Sequence, residues 1–201
     1  AASYAELLKG EVVVRNILTQ LLRLQQVTGG FIRDDEGGPV QQVSKAKLVA
    51  LEEIIEDVLG EGNKLVIFAR VVPEIEAICK LLEGKGIKHS VISGEVRNRT
   101  EQVQQFQEDP EVKVFVGQIQ TTGLGLTLTA ASTAVFYSLD FNYANYSQAR
   151  ARIHRIGQRN TCTYIHLVAK GTIDEKVLKA LQRKEDVAKL LVDNWRTFFR
   201  R

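Results

Sequence analysis

Cysteine and histidine are scarce in this 201-residue chain, with two of the first and three of the second. Cys79 and Cys162 lie far apart, one in a helical and one in a strand-like setting, without the Cys-x-x-Cys spacing of a zinc or redox site. They read as reduced core thiols. His89, His154 and His166 also lack ligand spacing, so no metal site is expected. No apolar run approaches the roughly 20 residues needed to span a bilayer. The amino terminus shows no signal peptide. No membrane partner is expected, and the chain is expected to be intracellular, cytoplasmic if prokaryotic. An excess of one charge is nearly missing too: 27 Lys and Arg against 24 Asp and Glu give a net +3 and a pI near 8.9. That balance permits nucleic-acid binding without demonstrating it.

A phosphate cradle is absent as well. The spans around Gly62-Asn-Lys64, Gly84-Lys-Gly86 and Lys170-Gly-Thr172 lack the Gly-x-x-x-x-Gly-Lys-Ser/Thr spacing and read as turns. Asp35-Glu-Gly-Gly38 superficially resembles a magnesium-holding acidic box. The preceding Phe31-Ile-Arg-Asp34 is too short an apolar run to hold carboxylates rigidly, so it is rejected.

What is present is a hydrophobic content of 44%, enough to bury a sizeable core in one domain with an appended helical part. Short apolar runs alternate with amphipathic stretches, which predicts a parallel sheet covered by helices. Candidate strands are Leu65 to Ala69, Ser90 to Ile92, Val112 to Val116, Ala134 to Tyr137 and Thr163 to Val168. Helices are predicted near 73–84, 98–107, 143–156 and 172–191, preceded by two more near 3–27 and 45–59. The Gly- and acid-rich stretch between those two predicts an exposed, mobile loop within residues 29–42. Arg70, Arg97, Arg99 and Lys113 fall near element ends, where a carboxyl-edge rim would gather them.

The stretch Gln148-Ala-Arg-Ala-Arg-Ile-His-Arg-Ile-Gly-Gln158 is the most informative. If it is helical, Gln148, Arg152, Arg155 and Arg159 share one face, while Ala149, Ile153 and Ile156 line a buried one. Paired guanidinium forks one turn apart suit phosphate oxygens. On periodicity alone, a solvated basic face is the plainer reading.

In order and spacing, Gln148, Arg152, His154, Arg155, Ile156, Gly157 and Gln158 resemble the sixth helicase motif of the Swi/Snf-like ATPases, within the superfamily-two helicases and translocases. The likeness runs through residue 180. Leu21 to Val27 and Ser44-Lys-Ala-Lys-Leu48 resemble the lead-in helices, and Lys64 to Arg70 resembles motif four. His89 to Gly94 with Arg97 to Phe106 resembles the next strand, turn and helix. Val114 to Leu128 resembles motif five, and Gly171-Thr-Ile-Asp-Glu-Lys176 resembles the start of the trailing helix. Motif five departs from the family's more common Ser-Thr-Arg-Ala-Gly-Gly run, reading Gln118-Ile-Gln-Thr-Thr-Gly123.

The resemblance implies a three-layer α/β RecA-like lobe of the P-loop NTPase kind, with a central, mainly parallel sheet and added helices at both ends. Its expected divisions are a helical lead-in (1–60), the helicase C-terminal lobe (61–170) and a trailing helix and tail (171–201). The trailing helix either braces two lobes or simply packs, and Trp195, Phe198 and Phe199 in the tail either stack on a partner or pack locally. Arg152 and Arg155 take the positions of arginine fingers. Gln148, Gly123, Leu124 and Gly125 take those of nucleotide contacts. Ala69, Arg70, Gly94, Arg97, Gln118, Ile119, Gln120 and Thr121 take those of sequence-independent contacts to the backbone of double-stranded DNA. The implied ligand is ATP with Mg2+, bound mainly by a missing amino-terminal RecA-like lobe of the same protein. The lobe alone is expected to be inactive, and a non-catalytic RecA-like binding module is the alternative.

Overall fold

The computed structural model describes residues 18–33, 38–94, 97–121, 125–187 and 189–190. Lys64–Ala69 (β3) sits at the centre of a five-stranded sheet. Its neighbours are His89–Ile92 (β4), Val114–Gln118 (β5), Ala131–Phe136 (β6) and Thr163–His166 (β7), in the order β4-β5-β3-β6-β7. Every pairing is parallel. From Leu65 to Ala69 the central strand has no exposed side chain, as its unbroken apolar run requires of a strand covered on both faces.

Alternation along β3 splits the core in two. Val66 and Phe68 point into a cluster with Phe106, Phe115, Phe136 and Tyr146. Leu65, Ile67 and Ala69 point into another with Leu51, Ile55, Ile75, Ile78 and Leu82. The helices Ala46–Gly60 (α2) and Val72–Gly84 (α3) supply the second cluster. Arg99–Glu108 (α4), Tyr143–Arg150 (α5) and Ile173–Gln182 (α6) cover the first, joined by Leu21 from a helix over residues 18–29 (α1). Among the described residues no helix is long and apolar enough to cross a membrane.

Several expected boundaries shift. The predicted helix near 143–156 stops at Arg150, followed by turns. The predicted helix near 172–191 ends at Gln182. Lys184 there takes a left-handed φ of 60°, and helical residues reappear only at 187. Lys113 is not on the carboxyl rim. It precedes β5 and its amide donates to the Lys88 carbonyl at the opposite, amino edge. Between α1 and α2, Phe31–Ile32 (β1) runs antiparallel to Gln41–Gln42 (β2), and Phe31 is buried. Gly30 makes that entry possible. Its φ is 93°, its carbonyl accepts from Val43 and Ser44, and a Cβ would lie 2.3 Å from the Ser44 carbonyl oxygen. The rejected acidic box and the tail with Trp195, Phe198 and Phe199 lie in whole or in part outside the described residues.

A buried polar seam fastens the terminal helices to the sheet. Lys47 Nζ on α2 lies 2.7 Å from Asp174 Oδ2 on α6 and donates to the Tyr137 carbonyl just past β6. Asp174 also accepts from Thr28 Oγ1 on α1 and from the Ala169 amide. Tyr137 donates its hydroxyl to the Gly29 carbonyl, and Gln25 donates to the Leu139 carbonyl. The trailing helix therefore packs on this lobe's own core through Ile173, Val177 and Leu181, and locks there by a charge pair. Removing one partner strands the other charge, a loss of roughly 3–5 kcal/mol. Lys47→Met and Asp174→Ala are each expected to fall in that range by urea denaturation, whereas Lys47→Met/Asp174→Leu recovers part of the loss. A double variant as unstable as the sum of the singles would show that the two residues act independently.

Candidate functional site

The Gln148–Gln158 stretch does not run on as one helix, so its two central arginines do not share a face. Asn142 caps the start of α5 by accepting from the Asn145 amide, and the helix holds Tyr146 and Ala149 against the core. After Arg150 the chain turns. Arg152 is 7% exposed, and its carbonyl accepts from the Leu128 amide at 2.9 Å. Burial, and then the neighbouring Arg155 charge, lower its pKa. Arg155 is exposed instead, with Nη1 donating to the Gly125 carbonyl at 2.8 Å, the Leu126 carbonyl at 3.0 Å and Thr127 Oγ1 at 3.3 Å.

Ile156, expected on the buried face, is fully exposed because the turn carries it outward, whereas Ile153 is buried as expected. Gly157 takes a φ of 100°, which reverses the chain. Gln158 then folds back so that Nε2 donates to the carbonyls of Ala131 at 2.7 Å, Ile153 at 3.0 Å and Thr129 at 3.3 Å. The last amide of the motif is thus a clamp that fixes the arginine turn against the start of β6. Of the expected nucleotide contacts, the structure brings Gly125 to Arg155 and leaves Gln148 exposed on α5. Gly123 and Leu124 lie outside the described residues.

A second constellation forms the carboxyl rim of the sheet. Gln118, at the end of β5, donates Nε2 to the Arg70 carbonyl at 3.2 Å and accepts at Oε1 from the Gly94 amide at 3.0 Å. One side chain thereby ties the ends of β3, β4 and β5 together. Gly94, Arg97 and Gln120 are exposed along this rim and Thr121 is half-buried, its Oγ1 donating to the Gln118 carbonyl. Ala69 and Ile119 do not reach the surface. Both are buried, and the Ile119 amide donates to the Ala69 carbonyl.

Arg70 is half-buried beside this rim. Its guanidinium carbon lies 5.4 Å from the centre of the Phe141 ring, and burial, offset by Asp140 and then Glu74, lowers its pKa. Its amide donates to Ser138 Oγ at 2.8 Å and to Glu74 Oε2 at 3.3 Å. Glu74 is itself buried and accepts from Ser138; burial raises its pKa against the pull of Ser138, Lys47 and the Arg70 amide. Sequence reasoning missed Glu74, although an acid in the first turn after Pro73 is a recognised helix-start signal.

Beneath α5, Tyr146 shares a 2.8 Å hydrogen bond with His166 Nε2, and the imidazole stacks on Phe136 at 5.2 Å. Burial, then the charge of Arg150, pushes the His166 pKa down to about 4. The neutral ring shares this bond with the tyrosine and seats the helix that leads to Arg152. No sequence signal announced this pair. Among the described residues there is no group of three or more His, Cys, Asp or Glu able to hold a metal.

Residues 46–157 match the helicase conserved C-terminal domain family. The chain is 35% identical over 150 residues to the chromatin-remodeling ATPase INO80 of Candida albicans, covering 74% of this chain and 11% of that protein. It is 32% identical over 152 residues to the INO80 ATPase of Mycosarcoma maydis, covering 75% and 8%. The chain thus spans about a tenth of the length of these curated relatives. Among solved structures, the Sulfolobus solfataricus SWI2/SNF2 ATPase core domain superposes with a TM-score of 0.66 at 27% identity, over 89% of this chain and 36% of that one. The C-terminal part of the Fun30 ATPase domain superposes at 0.64 with 22% identity, over 76% and 53%, a likeness of fold.

The His166 seat has a pH signature. Its stabilisation is fully present above the ordinary histidine value of about 6.5 and is lost as pH falls toward about 4, because the unfolded chain takes up a proton that the folded site refuses. The urea midpoint is expected to decline across that window and His166→Gln to flatten the decline. An unchanged slope in the variant would assign the acid sensitivity to other groups.

Proposed function

The chain belongs to the helicase conserved C-terminal domain family, in its Swi/Snf-like branch, as a RecA-like α/β lobe, and from that premise we propose that it is the second ATPase lobe of a motor that travels on double-stranded DNA. The observation that carries this reading is the corner around Arg155. An exposed guanidinium rests on weak neutral acceptors, next to a second, buried arginine, on a turn whose tip is a fully exposed isoleucine. Such a surface is built to be covered by another body and to meet an anion there.

Donor chemistry suits the triphosphate of ATP. Arg155, Arg152, Gln148 and the backbone at Gly125 are the residues that take it, and Gly123 and Leu124 extend that set by resemblance. Mg2+ would supply charge neutralisation between phosphate oxygens, and its carboxylate ligands belong to the amino-terminal RecA-like lobe, as does the phosphate cradle. When the lobes close, Arg155 exchanges its carbonyl partners for phosphate oxygens and Arg152 stiffens the turn behind it. Both then offset the negative charge that develops during phosphoryl transfer, and opening releases them.

DNA lies on the other constellation. Arg97, Gln120 and Thr121, with the open backbone at Gly94, contact sugar and phosphate without reading bases, so binding is salt-sensitive and independent of sequence. Gln118 holds this rim in register. Alternation between open and closed lobes while the rim keeps its grip yields stepwise travel along the duplex.

In the complete two-lobed protein, Arg155→Ala and Arg152→Ala are expected to remove most DNA-stimulated ATPase activity. The scale is the 10³ to 10⁵-fold, roughly, associated with arginine fingers in GTPases. Folding and DNA affinity should stay close to wild type. The isolated lobe should hydrolyse nothing with or without duplex DNA. Near wild-type turnover in Arg155→Ala would remove the finger assignment, and a complete protein inert toward ATP would favour a RecA-like module that only binds.

A further inference from the structure

We infer that Arg70, which the family's arrangement would put against DNA, acts instead as a positioning residue that links the nucleic-acid rim to the arginine turn through its stacking on Phe141. The inference rests on the two-lobed motor reading and concerns how its two constellations communicate. Arg70 is tied on three sides. Its carbonyl accepts from Gln118, whose other end holds Gly94, so it senses the rim. Its amide is held by Ser138 Oγ and Glu74, both buried, so the backbone of the turn is fixed to the end of β6 and to α3. Its half-buried side chain lies over Phe141, beside the Asp140 charge.

Phe141 is not a passive platform. It sits between Asp140, whose carboxylate accepts from the Asn142 amide and from Asn145 Nδ2, and Asn142, the cap of α5. Its own carbonyl accepts from the Val187 amide beyond α6. A shift of the Phe141 ring must therefore move the start of α5, and α5 delivers Arg152 and Arg155. The contact chain runs from Gly94 through Gln118 and Arg70 to Phe141 and the α5 cap. An arginine used this way is a poorer phosphate ligand, since its fork is engaged by a ring and partly desolvated.

Two substitutions cut the same link from opposite sides. Arg70→Lys keeps the charge and all backbone hydrogen bonds but loses the planar stack, and Phe141→Leu removes the ring while keeping an apolar side chain. Phe141→Tyr keeps the ring. The complete two-lobed protein is measured for ATPase with and without duplex DNA, and for DNA affinity across a salt series. Thermal midpoints check that each variant is folded.

The expected result is a fall of about three- to ten-fold in DNA stimulation for Arg70→Lys and for Phe141→Leu, the size a cation–π contact can account for. The double variant should be no worse than either single, Phe141→Tyr should behave as wild type, and the salt slope of DNA binding should stay unchanged in all of them. A direct phosphate contact predicts the reverse for Arg70→Gln, a slope reduced by about one with the ratio of stimulated to basal rate preserved, and that outcome overturns the proposal. So does additive loss in the double variant, or unaltered stimulation in folded Arg70→Lys. Absence of any DNA stimulation in the wild-type protein would overturn the motor reading itself and is separately visible.

Discussion

The complete burial of β3 from Leu65 to Ala69 is the constraint from which the rest follows. A central strand with both faces covered has no side chain to spare for chemistry, so anything it contributes to function must come from the residue just beyond its carboxyl end. That residue is Arg70. Flanking strands in register with β3 bring their own ends to the same level: Gln118 pairs with Ala69 and supplies the amide that spans to Gly94. The rim is thus a product of strand register, and the Gln118 side chain is spent on holding the three ends together.

A second organising element is the seam of buried polar groups on Lys47, Asp174, Glu74, Gln25 and Tyr137. Apolar helices can slide over an apolar sheet with little change in buried area. Charges and amides inside the same layer cannot, because each has one arrangement in which it is satisfied. The seam therefore sets where α1, α2 and α6 sit relative to β6, and it does so at the level of Tyr137, Ser138 and Leu139. Those residues lead directly into Asp140 and Phe141, so the attachment of the terminal helices and the approach to the arginine turn share one short stretch of backbone.

Much of this was legible in the residues. Runs such as Leu65 to Ala69 announce a doubly covered strand, and all five strands were found within a few residues of their bounds. The Arg152 to Gln158 string marked the family, and its residues come together in one turn beside the start of β6. What failed was extrapolation of helical periodicity past Arg150, where the Gly157 turn and the Gln158 clamp set the course of the chain; as a result Ile156 was expected inside and lies outside. Lys113 was misplaced because element ends are legible but which edge of a sheet they face depends on where the strand begins, here at Val114. The bridging role of Gln118 and the Tyr146–His166 pair could not be read at all, since each depends on neighbours 20 to 48 positions away.

The seat of Arg155 on two carbonyls and a hydroxyl also makes the lobe selective in kind. A cation already engaged by neutral acceptors gains little by moving to another neutral group, whose hydrogen bonds are of similar strength. It gains considerably by moving to an oxygen that carries full charge. As the proposed anion site, the corner would therefore behave as a threshold element. On the proposed reading, nucleosides, sugars and other uncharged molecules would leave the guanidinium where it is, and a ligand that brings concentrated negative charge would draw it out.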